Sequence, residues 1–357
     1  MLKVLRSWVD RFLSDEEAVL LAALLVAFFV IILSMGKILA PLLTGIVLAY
    51  VMQGIIKYLK RRQIPDVLAV AVTFVLFLGG FIGLLFFVIP RVWRQLQGLF
   101  RELPALVSQT QITLDDLTQK YPGLISESQF TAWVDMLNAE VGVFGQWVVS
   151  VSISQLPLVA TILVYMILVP ILVFFILKDQ EKLLVWIQSL LPNNRPLISG
   201  IAGELNIQMS NYIRGKVVEI IIVGSVTYGL FVFYGLNYSA LLAFLVGLSV
   251  IVPYLGITVV SLPVVIIGYL QFGWTDGFFY LMFWYGLLQA LDGFVLVPLV
   301  FSEAVNLHPI AIITAVLVFG SWWGLWGVFF AIPLATLVKV IMTSWPQVLH
   351  GPEKLTE

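Results

Sequence analysis

Polar and apolar positions along this chain alternate in blocks rather than residue by residue. Continuous apolar runs cover about 18–33, 38–56, 67–89 and 158–177, and another extends from about 278 to 300. About 20 such residues span a hydrocarbon core roughly 30 Å thick, so each run predicts a transmembrane helix. Ser34-Met-Gly-Lys37 is expected to separate the first two spans, Pro90 to end the third and Pro170 to kink the fourth. Outer-membrane β-barrels need short segments of alternating polarity instead, so the pattern predicts helices.

Two stretches break this pattern. In 91–155, Val92, Leu96, Leu99, Leu103 and Leu106 recur at the spacing of one helix face, and Ser126-Glu-Ser-Gln129 has capping-box form before Phe130, Trp133, Val134, Leu137 and Val141. These predict an amphipathic helical arm that packs on itself, on lipid or on a neighbouring subunit. Residues 179–213 read as two helices divided by Leu191-Pro-Asn-Asn-Arg-Pro196.

The C-terminal half reads as a pattern used twice. Asn237 leads into a short apolar run, a tip at Val252-Pro253-Tyr254-Leu-Gly256 and a second run with Pro263; Asn306 leads into a short run, a tip from Gly320 through Gly324 to Gly327 and a second run with Pro333. Asn237 and Asn306 are 69 residues apart, while Pro263 and Pro333, like Glu219 and Gln289, are 70 apart. If each piece enters and leaves on one side, the intervening span sets the two hairpins on opposite faces, an inverted repeat.

Composition agrees: 61% of the 357 residues are hydrophobic and 11% charged, with a mean hydropathy of +1.05. These values exclude a soluble globular enzyme. The net charge of -1 gives no reason to expect nucleic acid, and the absence of cysteine removes disulfides and thiolate chemistry. Lys57-Tyr-Leu-Lys-Arg-Arg62 is the densest basic cluster; placing it and both termini in the cytoplasm leaves only Lys37, Arg91, Arg94, Arg101 and Lys120 outside, so 14 of 19 basic residues lie inside. The N-terminus is amphipathic, and the apolar run beginning near Ala18, which has no A-x-A-like end, reads as an anchor rather than a cleaved signal.

The candidate chemistry lies in the repeat. Asp292 sits inside an apolar span, where a carboxylate is costly unless it faces protein or water. Glu219 reads either as a second such group or as an interfacial ion pair with Arg214 and Lys216. His308, before Pro309, reads as a helix cap or as a ligand or proton carrier. With Asn237, Gln289 and Asn306 these form the expected transport path, gated by tips at Pro253, Tyr254, Gly256, Gly324 and Gly327. Trp322, Trp323 and Trp326 suit an interfacial belt. Gly247-Leu-Ser249-Val, with His308, is a faint match to an intramembrane serine protease, but a serine there usually bonds its own helix. No nucleotide loop, metal motif or cofactor site is present in the sequence.

Several segments together resemble the autoinducer-2 exporter (AI-2E) family and its permease branch: Asn-Tyr-Ile-Arg-Gly-Lys at 211–216, Gly-Leu-Asn-Tyr-Ser at 235–239, Pro-Tyr-Leu-Gly at 253–256, Gln-Ala-Leu-Asp-Gly at 289–293, Val-Asn-Leu-His-Pro at 305–309 and Trp-Gly-Val-Phe-Phe-Ala-Ile-Pro at 326–333. The chain departs at Phe294, where many relatives carry asparagine, and at Ile257, where many carry proline. The resemblance implies a bacterial inner-membrane protein, a homo-pentamer, and hairpins that move substrate in an elevator-like way. Members are linked to autoinducer-2 export and others to sodium or proton exchange.

The expected fold is an all-α polytopic membrane protein with about six full spans, two re-entrant helical hairpins and an external helical arm. Its divisions are a cytoplasmic N-terminus (1–17), three spans (18–90), the arm (91–155), a span (156–178), a cytoplasmic helical segment (179–215), a transport core (216–342) with hairpins at 237–272 and 305–342, and a cytoplasmic tail (343–357). The expected function is secondary transport of a small polar solute. Alternatives are a cation/proton antiporter using the same carboxylates and a non-transporting scaffold using the arm. Expected partners are lipid, solute, a proton or sodium ion and further copies of the chain, with no nucleic acid and no cofactor.

Overall fold

The computed structural model describes residues 16–102, 156–192, 195–253, 255–301 and 307–349, and every regular element among them is helical. The second amphipathic segment expected at 130–141, Tyr254 and Asn306 lie outside the described residues. Five of the described helices are long and apolar enough to cross a membrane, or six if a pair bent by 78° at Asp179 counts as one span.

Helix α1 (Glu16–Arg61) is 46 residues long. The break expected at Ser34–Lys37 is therefore absent as a non-helical turn. The Ser34 hydroxyl explains part of this, since it donates to Val30 O at 2.6 Å and satisfies itself within the helix. Yet α1 cannot be straight. Glu17 and Tyr50 would then stand about 50 Å apart. Both instead bond to α5 (Pro196–Phe233). The Ile198 N–H donates to Glu17 Oε1 at 2.8 Å, and Tyr50 OH donates to Asn206 Oδ1 at 2.9 Å. Those α5 residues are only about 12 Å apart along the axis. Helix α1 thus bends while keeping its hydrogen bonds, and between its two contacts Gly36 lies so close to the Trp323 indole that a Cβ would come within 2.3 Å of Nε1.

Helix α2 (Asp66–Gly83) passes through a π-helical turn at Leu84–Val88 and continues to Glu102. Pro90 does not end it, contrary to expectation. Proline cannot donate a hydrogen bond and crowds the preceding turn, and the wide turn just before it, closed by Ile89 N–H on Leu84 O, absorbs the mismatch. The same device recurs where α8 (Asp276–Leu291) enters a π-turn at Asp292–Leu296, closed by Val297 N–H on Asp292 O, just before Pro298 in α9 (Val297–Phe301). Helix α3 (Leu156–Lys178) packs on α1 and α2 around Val169, Val173 and Leu177, and α4 (Gln180–Ser189) follows the bend at Asp179.

Helix α5 is the spine of the fold. It runs 38 residues without interruption, so the boundary expected at 215–216 falls inside a single helix. Two helical hairpins pack along it. The first is α6 (Ser239–Ser249) and α7 (Leu255–Phe272), whose core joins Val223 and Phe231 of α5 to Leu242, Val246, Val264 and Leu281. The second is α10 (Pro309–Trp323) and α11 (Leu325–Leu349), whose Ile312, Phe329, Ile332 and Leu337 pack with Leu197, Ile201, Tyr212 and Ile213. The first hairpin therefore takes the C-terminal half of the spine and the second the N-terminal half. Trp323 and Trp326 stack on Phe330 of the second hairpin, each 5.9 Å between ring centres, while Trp322 is exposed.

Both tips depend on glycine. Gly324 reverses the chain in one residue at φ +61°, a left-handed region unfavourable to other residues. Gly256 and Gly327 lie where a Cβ would come within 1.9 Å of Ser249 O and 1.8 Å of Phe319 O, so the two legs of each hairpin meet backbone to backbone.

Candidate transport site

A cavity of about 290 Å³ lies where the halves of the spine meet. Tyr212, Lys216 and Glu219 enter it from α5 at i, i+4 and i+7, the spacing of one helix face. Gln289 and Asp292 enter from α8 and its π-turn, Ser249, Val252 and Pro253 from the first tip, and Ile312 and Ile332 from the second hairpin. Glu219 and Gln289, equivalent in the sequence repeat, thus line the same space.

The electrostatics centre on Lys216. Its ammonium is 2.7 Å from Glu219 Oε2 and donates to Val250 O at 2.8 Å, and the two paired side chains retain 5% and 3% exposure. The ion pair weighed for Glu219 exists, is formed with Lys216 and is deeply buried within the protein. Val250 caps the C-terminal end of α6, where the helix dipole favours a cation. Lys216 therefore fastens the first tip to the spine. Asp292 is close enough to interact with both Lys216 and Glu219. It is 91% buried, and its Oδ1 has no hydrogen-bond partner among the described residues. The Gln289 amide reaches the same space from one turn earlier, beside the Tyr285 hydroxyl. Buried polar atoms without partners are costly, which marks this wall as one built to meet water or solute.

Other predicted path residues lie elsewhere. Asn237 is exposed in the α5–α6 loop, where its N–H donates to Gln271 Oε1 at 2.7 Å. His308 is exposed, and its Nδ1 accepts from Ile310 N–H at 3.3 Å as the cap of α10. Neither lines the cavity. The Ser249 hydroxyl donates to Val246 O at 2.7 Å, so it is engaged by its own helix, and the structure does not place His308 beside it. Lys216 and Tyr212 were missed as site residues, although their spacing from Glu219 carried the signal. Tyr212 OH donates to Phe329 O at 3.0 Å and ties the second hairpin to the spine. Among the described residues no acidic or histidine cluster is arranged to hold a metal ion.

Long apolar helices around a cavity that holds a buried ion pair define a multi-pass membrane protein, and the chain's sequence places it more closely. It belongs to the AI-2E transporter family, whose pattern matches residues 20–347. It is 43% identical over 346 residues to the Escherichia coli K12 protein named "Putative permease PerM", covering 97% of this chain and 98% of that one. It is also 26% identical over 319 residues to "Putative transport protein YueF" of Bacillus subtilis, covering 85% and 83%. The family and permease branch that the sequence resembled are thus borne out.

Proposed function

We propose that the protein is a secondary transporter that carries a small polar solute in the cavity between its two hairpins. The observation that carries this reading is the buried Asp292 carboxylate, with an oxygen that has no partner among the described residues, facing the cavity beside Gln289. The hairpins re-enter from opposite faces and move along the spine in an elevator-like cycle, a motion supported by their opposed positions on α5 and their glycine tips. Autoinducer-2 export from the bacterial inner membrane, by a homo-pentamer with cytoplasmic termini, is the specific form that the family membership favours. The antiporter alternative draws on the same carboxylates, with a proton or sodium ion as the coupled species. Against it, the Lys216 ammonium already occupies one face of Glu219, where a metal cation would need oxygen ligands.

The test is flux of autoinducer-2 into proteoliposomes, with and without a pH gradient, for wild type and Asp292→Asn. Wild-type flux lost in the variant supports the reading. Solute-independent collapse of the gradient by wild type alone shifts the assignment to the antiporter. Equal flux in both proteins removes Asp292 from the path.

A further inference from the structure

A second cavity, of about 540 Å³, lies away from the transport site. Its walls come from the π-turn of α2 (Leu84, Phe87, Val88), from α5 around Gly224 and from α6 around Ala243. Elsewhere α2 docks firmly against the start of α6. The Leu241 N–H donates to Gln95 Oε1 at 2.8 Å, and Tyr238 OH donates to Glu102. The cleft thus opens where α2 diverges from α5 and α6 below that contact. Gly224 and Gly247 let α5 and α6 pack closely along its floor, since a Cβ on Gly247 would come within 3.0 Å of Gly224 Cα and 3.2 Å of Ile220 O. Arg91 stands at its margin, exposed and without a described ion pair or hydrogen bond, one turn beyond the π-turn.

We infer that this cleft is a binding site for an anionic phospholipid, with an acyl chain between α2 and α5/α6 and the phosphate on Arg91. Lipid chains are the medium around these helices, and an apolar cleft of this volume falls within the range of about 300–1,000 Å³ typical of ligand sites. A guanidinium at the end of such a cleft can take lipid phosphate with two bonds, and a headgroup without a cation of its own leaves that positive charge as the sole partner of the phosphate. The remaining polar lining, Ser225 and Tyr228, offers hydroxyls but no negative charge to compete. The site is independent of the proposed transport reading.

The test is native mass spectrometry of the full-length protein released from mixed micelles containing equal phosphatidylglycerol and phosphatidylcholine. Wild type is expected to retain phosphatidylglycerol at least about fivefold over phosphatidylcholine, roughly 1 kcal/mol of preference. Arg91→Gln abolishes that preference and Arg91→Lys largely keeps it; the position is exposed, so folding is undisturbed. Ile221→Trp, a bulkier side chain at an exposed position lining the cleft, lowers retention of both lipids. Equal retention of the two lipids by wild type, or an unchanged preference in Arg91→Gln, overturns the proposal. So does disulfide cross-linking of Ile221→Cys between two copies, which would show that another protomer fills the cleft.

Discussion

Replacing Lys216 with methionine isolates the energetics of the buried pair. The substitution nearly preserves volume but removes the ammonium, its 2.7 Å contact with Glu219 and its bond to Val250 O. Because both side chains are almost fully buried, solvent screening is slight, and the Glu219 carboxylate is left without its counter-ion. Breaking a buried pair in this way costs about 3–5 kcal/mol. Lys216→Met with Glu219→Gln removes the stranded charge as well, leaving mainly the loss of the bond to Val250 O, about 1–3 kcal/mol. The double variant should therefore recover about 2 kcal/mol, close to a 30-fold change in the unfolding constant. Reversible unfolding of the detergent-solubilised protein by sodium dodecyl sulfate, followed by circular dichroism, measures both. If Lys216→Met costs under about 1 kcal/mol, or if the double variant is no more stable than the single one, the pair does not hold the first tip as argued.

Gly256→Ala and Gly327→Ala should each destabilise by about 1–3 kcal/mol, because the added methyl meets a backbone carbonyl that cannot swing aside; thermal melts read the loss. Tyr212→Phe should cost about 0.5–1.5 kcal/mol, since it removes one buried hydrogen bond to Phe329 O while the ring stays packed; the same unfolding assay tests it. Burial, and after it the Glu102 carboxylate that accepts its hydrogen bond, push the Tyr238 phenol above its ordinary range. A raised phenol contributes stability that is complete below the unfolded value near pH 10 and is lost as pH rises through the folded value. Stability should therefore fall with pH above about 10, and Tyr238→Phe should flatten that slope in pH-dependent melts.

Asp292, Glu219 and Gln289 were legible in the sequence because polar groups in apolar runs have few tolerable positions, and the cavity holds all three. Lys216 was not, since a sequence window could not show that the helix starting at Pro196 runs unbroken to Phe233 and leaves residue 216 well inside it. Asn237 and His308 resembled path residues because asparagine and histidine also begin helices, and His308 serves as a cap in the structure. Ser34-Met-Gly-Lys37 and Pro90 were read as breaks because turn residues usually break helices. A back-bonded serine and a π-turn let α1 and α2 continue, and neither has a clear signature in one sequence. The paired hairpins were visible through their spacing, which survives even where individual residues differ.

The matched tip glycines give the molecule an internal control. Gly256 and Gly327 press on carbonyls of Ser249 and Phe319, residues 70 apart in the chain, so the same local joint is installed twice in different surroundings. Damage to one joint can be compared with the same damage to the other within a single polypeptide, at equal abundance and in the same bilayer. A difference between the two then reports what each vestibule asks of its joint, rather than what glycine does in general.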